Sequence, residues 1–192
     1  MNVFDLPNFS EEVMSKLLDT FIQNEGSTFQ NKREETILQT EFLSKILTEI
    51  NPVFVLETGT HKANFDYFCK LVLPNVQIVT FGNNKKSQEC VEYLNKLFGT
   101  YIKFILGDSK ITLLTCESNA PIDFAWIDGG HDYKTCMSDL LNCSRLNIEH
   151  ICVDDYNRLV NKPVSDFIDT NNYELVSVSS DIRGIAYLRQ LK

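Results

Sequence analysis

The stretch "IDFAWIDGGHDYKTCMSDL", Ile122 to Leu140, reads as a strand that runs into a helix through a glycine turn. Ile122, Phe124, Ala125, Trp126 and Ile127 make a nearly unbroken apolar run, short for a helix and without the alternation of a strand wetted on one face. Such a run belongs in a sheet covered on both sides. From Tyr133 onward the apolar positions fall three and four apart, the helical period. Gly129 and Gly130 permit the sharp change of direction, but that turn requires neither Asp128 nor His131.

The same rhythm extends both ways along the chain. Apolar runs recur at "VFVLE" (53–57), "VQIVTF" (76–81), "IKFIL" (102–106) and "HICV" (150–153). Between them lie segments of helical period, "NFDYFCKLV", "SQECVEYLNKLF", "ITLLTCE" and "YKTCMSDLLNCSRL". Strands alternating with helices predict an α/β, three-layer sandwich around a mostly parallel sheet. Past a helix at "PVSDFIDT", the closely joined "YELVSVSS" and "IRGIAYLRQ" predict an antiparallel hairpin at one sheet edge, for about seven strands in all. Before residue 50 the pattern is helical, in "FSEEVMSKLLDTFIQ" with Ser10 as its cap and in "EETILQTEFLSKILTEI", which Asn51-Pro52 stops. With no repeat or linker, the expectation is one domain over 1–192, with N-terminal helices to residue 50 and the sandwich from 51.

The 192 residues are 43% hydrophobic and 23% charged, an ordinary globular composition. A net charge of −8 argues against a nucleic-acid partner and for a small hydroxylated molecule. No apolar run approaches the roughly 18 residues of a membrane span, and "MNVFDLPNFSEEV" lacks signal-peptide order. A cytoplasmic protein that does not engage membranes is expected. The six cysteines are scattered without a C-x-x-C pair and read as buried thiols in a reducing compartment.

Ligands of such sheets bind beyond the carboxyl ends of the strands. There stand Glu57, Gly82-Asn83-Asn84, Gly107-Asp108-Ser109, Asp128 and Asp154-Asp155. "LETGTHKANF" resembles the first motif of class I S-adenosylmethionine-dependent methyltransferases, E-x-G-x-x-x-G-x-S or a relative, through Glu57 and Gly59. It departs from that motif at His61, Ala63 and Phe65. The second strand lacks the carboxylate that usually holds a ribose; "VTFGNNKK" offers Asn83 or Asn84 instead. "LGDS" resembles the family's adenine-side segment, with Asp108 and Ser109.

The glycine turn together with "HICVDDY" resembles the D-G-x-H-x-Y…D-D pattern of a subgroup that includes metal-dependent sugar O-methyltransferases of macrolide biosynthesis, with cephalosporin-hydroxylase-like relatives. With "RGIAYLR", the likeness covers roughly residues 35 to 190. It implies a Rossmann-like fold and S-adenosylmethionine bound around Glu57, Gly59, Asn83, Asp108, Ser109 and Asp128. It also implies a divalent ion, Mg²⁺ first among candidates, on Asp128, Asp154 and Asp155, with His131 as the base that deprotonates a hydroxyl. Physical chemistry agrees, because acids at the tips of strands about 4.8 Å apart repel unless a proton or cation joins them. A hard ion there would lower the pKa of a bound hydroxyl.

Two other functions stand beside metal-assisted O-methylation. One is a methyltransferase-like protein that has lost its cofactor, and the other is a metal enzyme without a methyl donor. Structural readings also exist: Asp128 as a helix cap, His131 as a loop residue and Asp154-Asp155 as solvated turn acids. Tyr133 reads as core, His61 as structural and His150 as peripheral, with Asp132 and Asp139 on an exposed helical face. The acceptor pocket is expected from the N-terminal helices, the loop "YNRLVNKP" after Asp155 or a partner subunit, and those helices would serve equally as a lid or a homo-oligomer face.

Overall fold

The computed structural model describes residues 29–117 and 120–192, with side chains from residue 35 onward; the helix expected behind Ser10 lies outside them. Helix α1 (Phe29–Ile50) ends where Asn51 turns left-handed before Pro52. Then follow β1 (Phe54–Thr58), α2 (Asn64–Val72), β2 (Gln77–Gly82), α3 (Lys85–Phe98), β3 (Ile102–Leu106), the short α4 (Ser109–Thr112) and β4 (Phe124–Ile127). Helix α5 (Tyr133–Arg145), β5 (His150–Val153), a π-helical turn (Tyr156–Val160), α6 (Asn161–Thr170), β6 (Tyr173–Val178) and β7 (Ala186–Gln190) complete the order.

The seven strands lie in the order β3-β2-β1-β4-β5-β7-β6. The first five are parallel. Strand β7 slips antiparallel between β5 and β6, so the expected hairpin does close one edge of the sheet. This is a Rossmann-like sandwich, and the order in which strands are added across the sheet reverses between β1 and β4, where such folds open a ligand crevice.

Neighbouring strand residues feed opposite cores, as the pleat requires. Leu56, Val79, Ala125, Ile127 and Ile151 face one core with Leu140 and Cys143 of α5 and Val164 and Phe167 of α6. Val55, Ile78, Phe124, Trp126 and Cys152 face the other with Leu43 and Leu47 of α1, Phe65 and Phe68 of α2 and Leu94 of α3. Both faces of these strands are dry, which is why the sequence shows runs rather than alternation.

The segment "ITLLTCE" departs from expectation. The helix stops at Thr112, because Leu113 is buried while Ile111 and Leu114 point into solvent, leaving no continuous apolar stripe to seat another turn. All six cysteines are free. No helix among the described residues is long and apolar enough to cross a membrane.

Candidate functional site

The tips of β1, β2, β4 and β5 open into a cleft of about 1010 Å³ whose far wall is α1. Glycines shape its floor. Gly59 has φ +94°, and a Cβ there would sit 1.9 Å from the carbonyl oxygen of Asp128, so only glycine lets the two strand tips close up. Gly59 and Thr60 both donate from backbone nitrogen to the Phe81 carbonyl, and Asp128 donates to that of Thr58. Behind Gly59, Ala63 takes the left-handed conformation and α2 starts with no side chain capping it. The first turn of that helix therefore presents its N–H groups toward the cleft end of β1. Phe65, where the resembling motif has a small hydroxyl residue, stacks on Trp126 at 5.2 Å and lines the cleft.

Of the residues read as cofactor-binding, Gly59, Asn83, Asp108, Ser109 and Asp128 line this cleft; Glu57 does not. Glu57 lies beneath the floor, 2% exposed, and accepts a hydrogen bond from the Thr80 hydroxyl. Thr80 in turn shares a 2.5 Å hydrogen bond with the hydroxyl of Thr60, which reaches the cleft. Burial and then the negative charge of Asp66 raise the Glu57 pKa. Asp66 itself is pushed up to about 7 by burial. Asn84 also lines the cleft and caps α3, accepting from the Ser87 backbone at 2.9 Å. Asp108 caps α4, and the Lys110 backbone N–H and side chain hold its pKa low.

Three readings about α5 are corrected. The helix is capped by Asp132, not Asp128, through the backbone nitrogens of Lys134 and Thr135. Asp139 is fully buried rather than exposed, because it packs beneath Gly129, where a Cβ would lie 3.0 Å from its Oδ2. Burial lifts its pKa to about 6. Tyr133 is also not core: its hydroxyl donates to Asp166 at the surface.

The acid cluster forms, with a different centre. Asp154 and Asp155 are 5% and 8% exposed at the side chain, not solvated, and Asp128 stands beside them at the tip of β4. Between the acids lies the guanidinium of Arg183, from the loop joining β6 and β7. Its Nη2 donates to Asp154 Oδ2, and its Nε donates to Asp155 Oδ1 at 2.8 Å. The other oxygen of Asp155 lies 3.4 Å from Nδ1 of His131. Burial and then the charge of Asp154 raise the Asp128 pKa, and burial raises that of Asp154 against the pull of Arg183. Arg183 loses hydration on burial, yet Asp154 and Asp155 hold its proton more tightly than usual.

A divalent ion does not fit this arrangement. Among the described residues no three His, Cys, Asp or Glu side chains are disposed to hold a metal ion. A permanent cation already occupies the ground between two of the three acids expected to ligate it. The residues read as metal ligands thus stand around a guanidinium, bonded to Asp154 and Asp155 with Asp128 alongside, and His131 lies at the rim. Arg183 itself was overlooked in the sequence. The signal available was an arginine beside a glycine in a hairpin loop, next in the sheet to a strand that ends in two acids.

Among solved structures the fold is similar to PaMTH1, a methyltransferase from Podospora anserina bound to S-adenosylhomocysteine, with TM-score 0.69 and 13% identity over 93% of this chain and 88% of that one. TomG from Streptomyces achromogenes, an O-methyltransferase involved in tomaymycin synthesis solved with S-adenosylmethionine, gives TM-score 0.68 and 14% identity over 95% and 91%. An O-methyltransferase from Bacillus cereus in complex with S-adenosylhomocysteine gives 0.67 and 15% over 94% and 90%. At such identities the likeness is one of fold. No protein among the curated sequences matches this chain. Residues 56–156, more than half of the 192, match the family model described as a methyltransferase domain, a span that runs from the first glycine turn to the paired acids: the chain belongs to the methyltransferase domain family.

Proposed function

We propose that the protein transfers a methyl group from S-adenosylmethionine to a hydroxyl of a small molecule, with His131 as the base. The observation that carries this reading is the His131–Asp155 pair at the rim of the glycine-floored cleft. Asp155 Oδ2, 3.4 Å from Nδ1, favours the tautomer protonated on that nitrogen, which would leave Nε2 free to take a proton. Arg183 keeps Asp155 from turning away. S-adenosylmethionine, when bound, supplies an electrophilic methyl group. Gly59 and the first turn of α2 would receive its charged end, while Asn83, Asp108 and Ser109 would contact its nucleoside by hydrogen bonds.

His131 removes the hydroxyl proton as oxygen attacks, and the cleft walls hold the two reactants in line. Mg²⁺ has no step in this account, since Arg183 supplies the positive charge beside the acids. The rival of a methyl-donor-free metal enzyme loses its support for the same reason. The rival of a decayed scaffold is opposed by an imidazole and a buried aspartate brought within 3.4 Å from the loops after β4 and β5.

The test is direct. Calorimetry should detect S-adenosylhomocysteine binding, and radiolabelled methyl transfer should be found across a panel of phenols, sugars and other hydroxylated molecules. His131→Ala should lose about 100-fold or more of turnover while its affinity for S-adenosylhomocysteine stays within about twofold of wild type. Unimpaired transfer by that variant would remove His131 from its role, and no binding at millimolar ligand would remove the cofactor.

A further inference from the structure

We infer that Arg183 is a built-in substitute for a divalent cation, a positioning residue that joins the acids at the strand tips and presents Asp155 to His131. This goes beyond the proposed methyl transfer and rests on it for its catalytic meaning, though not for its structural content.

The arginine is not a side chain that swung into an available acid patch. The loop that carries it is tied down at Ser179, Asp181, Arg183, Gly184 and Ile185, while Ser180 and Ile182 are exposed. Asp181, 5% exposed, accepts from the backbone nitrogens of Arg183 at 3.1 Å and Gly184 at 2.9 Å, and its second oxygen accepts from the Ser179 hydroxyl. Ser179 Oγ in turn accepts from the nitrogen of Ile185 at 2.7 Å. Gln39 of α1 donates to Asp181 at 3.1 Å, so the first described helix also anchors the loop.

The loop is then pinned to the acids' own turn. Tyr156 donates to the Gly184 carbonyl at 2.9 Å and Asn157 to that of Arg183 at 2.8 Å. Gly184 has φ +73°, and a Cβ there would come within 2.4 Å of the Asn157 side chain, so this approach depends on glycine. Asp155 is itself held at φ 56°, which turns its carboxylate back toward the loop.

Every one of these contacts serves to deliver one guanidinium to Asp154 and Asp155. A planar fork with donors on adjacent nitrogens can hold two carboxylates in a fixed relation. A divalent ion would also bridge them, but it would draw Asp155 into coordination and away from the imidazole. The arginine takes one oxygen of Asp155 and leaves the other for His131, 3.4 Å away. It also offers no open coordination position, so a hydroxyl acceptor gains no Lewis-acid activation here and relies on the histidine alone.

Mn²⁺ reports on this without any acceptor. Electron paramagnetic resonance of the wild-type protein should show the ion free at about millimolar concentration, and S-adenosylhomocysteine affinity should be equal in EDTA and in Mg²⁺. Arg183→Met, which removes the charge and keeps the length, should acquire a bound Mn²⁺ at least about tenfold tighter than wild type, and Arg183→Lys should restore exclusion. A wild-type protein that binds one Mn²⁺ stoichiometrically and needs it for ligand affinity overturns the inference. So does an Arg183→Met variant with native far-ultraviolet dichroism that takes up no metal. If Arg183→Met does not fold, the wild-type resonance and the EDTA comparison decide. Absence of S-adenosylhomocysteine binding with Mn²⁺ still excluded would sink the methyl-transfer reading and leave the arginine's role in place.

Discussion

Asp66 shows what a single buried carboxyl costs in this fold. Its pKa is pushed from 3.8 up to about 7 by burial, within reach of Glu57 and partly relieved by Lys70. A carboxyl whose pKa rises on folding binds a proton more tightly in the native state than in the unfolded chain. Its effect is absent below pH of about 4, grows as a destabilisation between about 4 and 7, and is constant above. Asp66→Asn removes that dependence. Its stability relative to wild type should therefore climb through that window by a few kcal/mol at most, read as the difference in denaturation midpoints at pH 5 and pH 8. A difference that stays flat would show that Asp66 is ionised throughout. Away from the strand ends the sequence placed Asp132 correctly as exposed but misplaced Asp139. Asp128, His131, Asp154 and Asp155 announce themselves by position, at the end of apolar runs. Asp66 and Asp139 sit inside helices, where whether an acid is buried depends on what packs above it. Asp139 lies under a glycine of a different element, and no local pattern encodes that.

At the scale of elements, strand positions were legible because both sheet faces are covered. Each of the first five strands starts or stops within two residues of its apolar run. Helix starts were less legible, since the period of α3 shows from Ser87 whereas the helix begins at Lys85. Asn84, read from the sequence as a possible ribose contact, is its cap, accepting from both the backbone nitrogen and the hydroxyl of Ser87. Asn84→Ala should lower unfolding free energy by about 1 kcal/mol, measured as a shift in the urea midpoint at unchanged slope. A loss well above that would mean that Asn84 supports the cleft as well as the helix. What could not be read was the π-helical turn at Tyr156–Val160, which follows the left-handed Asp155 and precedes Pro163 in the first turn of α6. Its shape is set by the hydrogen bonds of Tyr156 and Asn157 to the β6–β7 loop, a partner almost thirty residues downstream. Long-range pairing of that kind leaves no periodicity behind.

For the whole molecule, the proposal that the cleft binds S-adenosylhomocysteine has a stability consequence. A ligand that binds the native state at a hundred times its dissociation constant adds about 2.7 kcal/mol. For a chain of this size the melting temperature should rise by roughly 5–10 °C under those conditions, and the rise should be the same with EDTA present. A flat melting curve at saturating ligand would mean that the cleft does not hold it. The arrangement of strands also gives the molecule a history. Strand β7 lies next to β5 although the π-turn, α6 and β6 intervene in the chain, and the loop before β7 carries Arg183. As the polypeptide leaves the ribosome, Asp154 and Asp155 emerge well ahead of the arginine that bridges them. Until the closing hairpin arrives, β5 is a bare edge with unbalanced negative charge at its tip, a surface that repels other nascent chains at the very stage when an open strand most invites them.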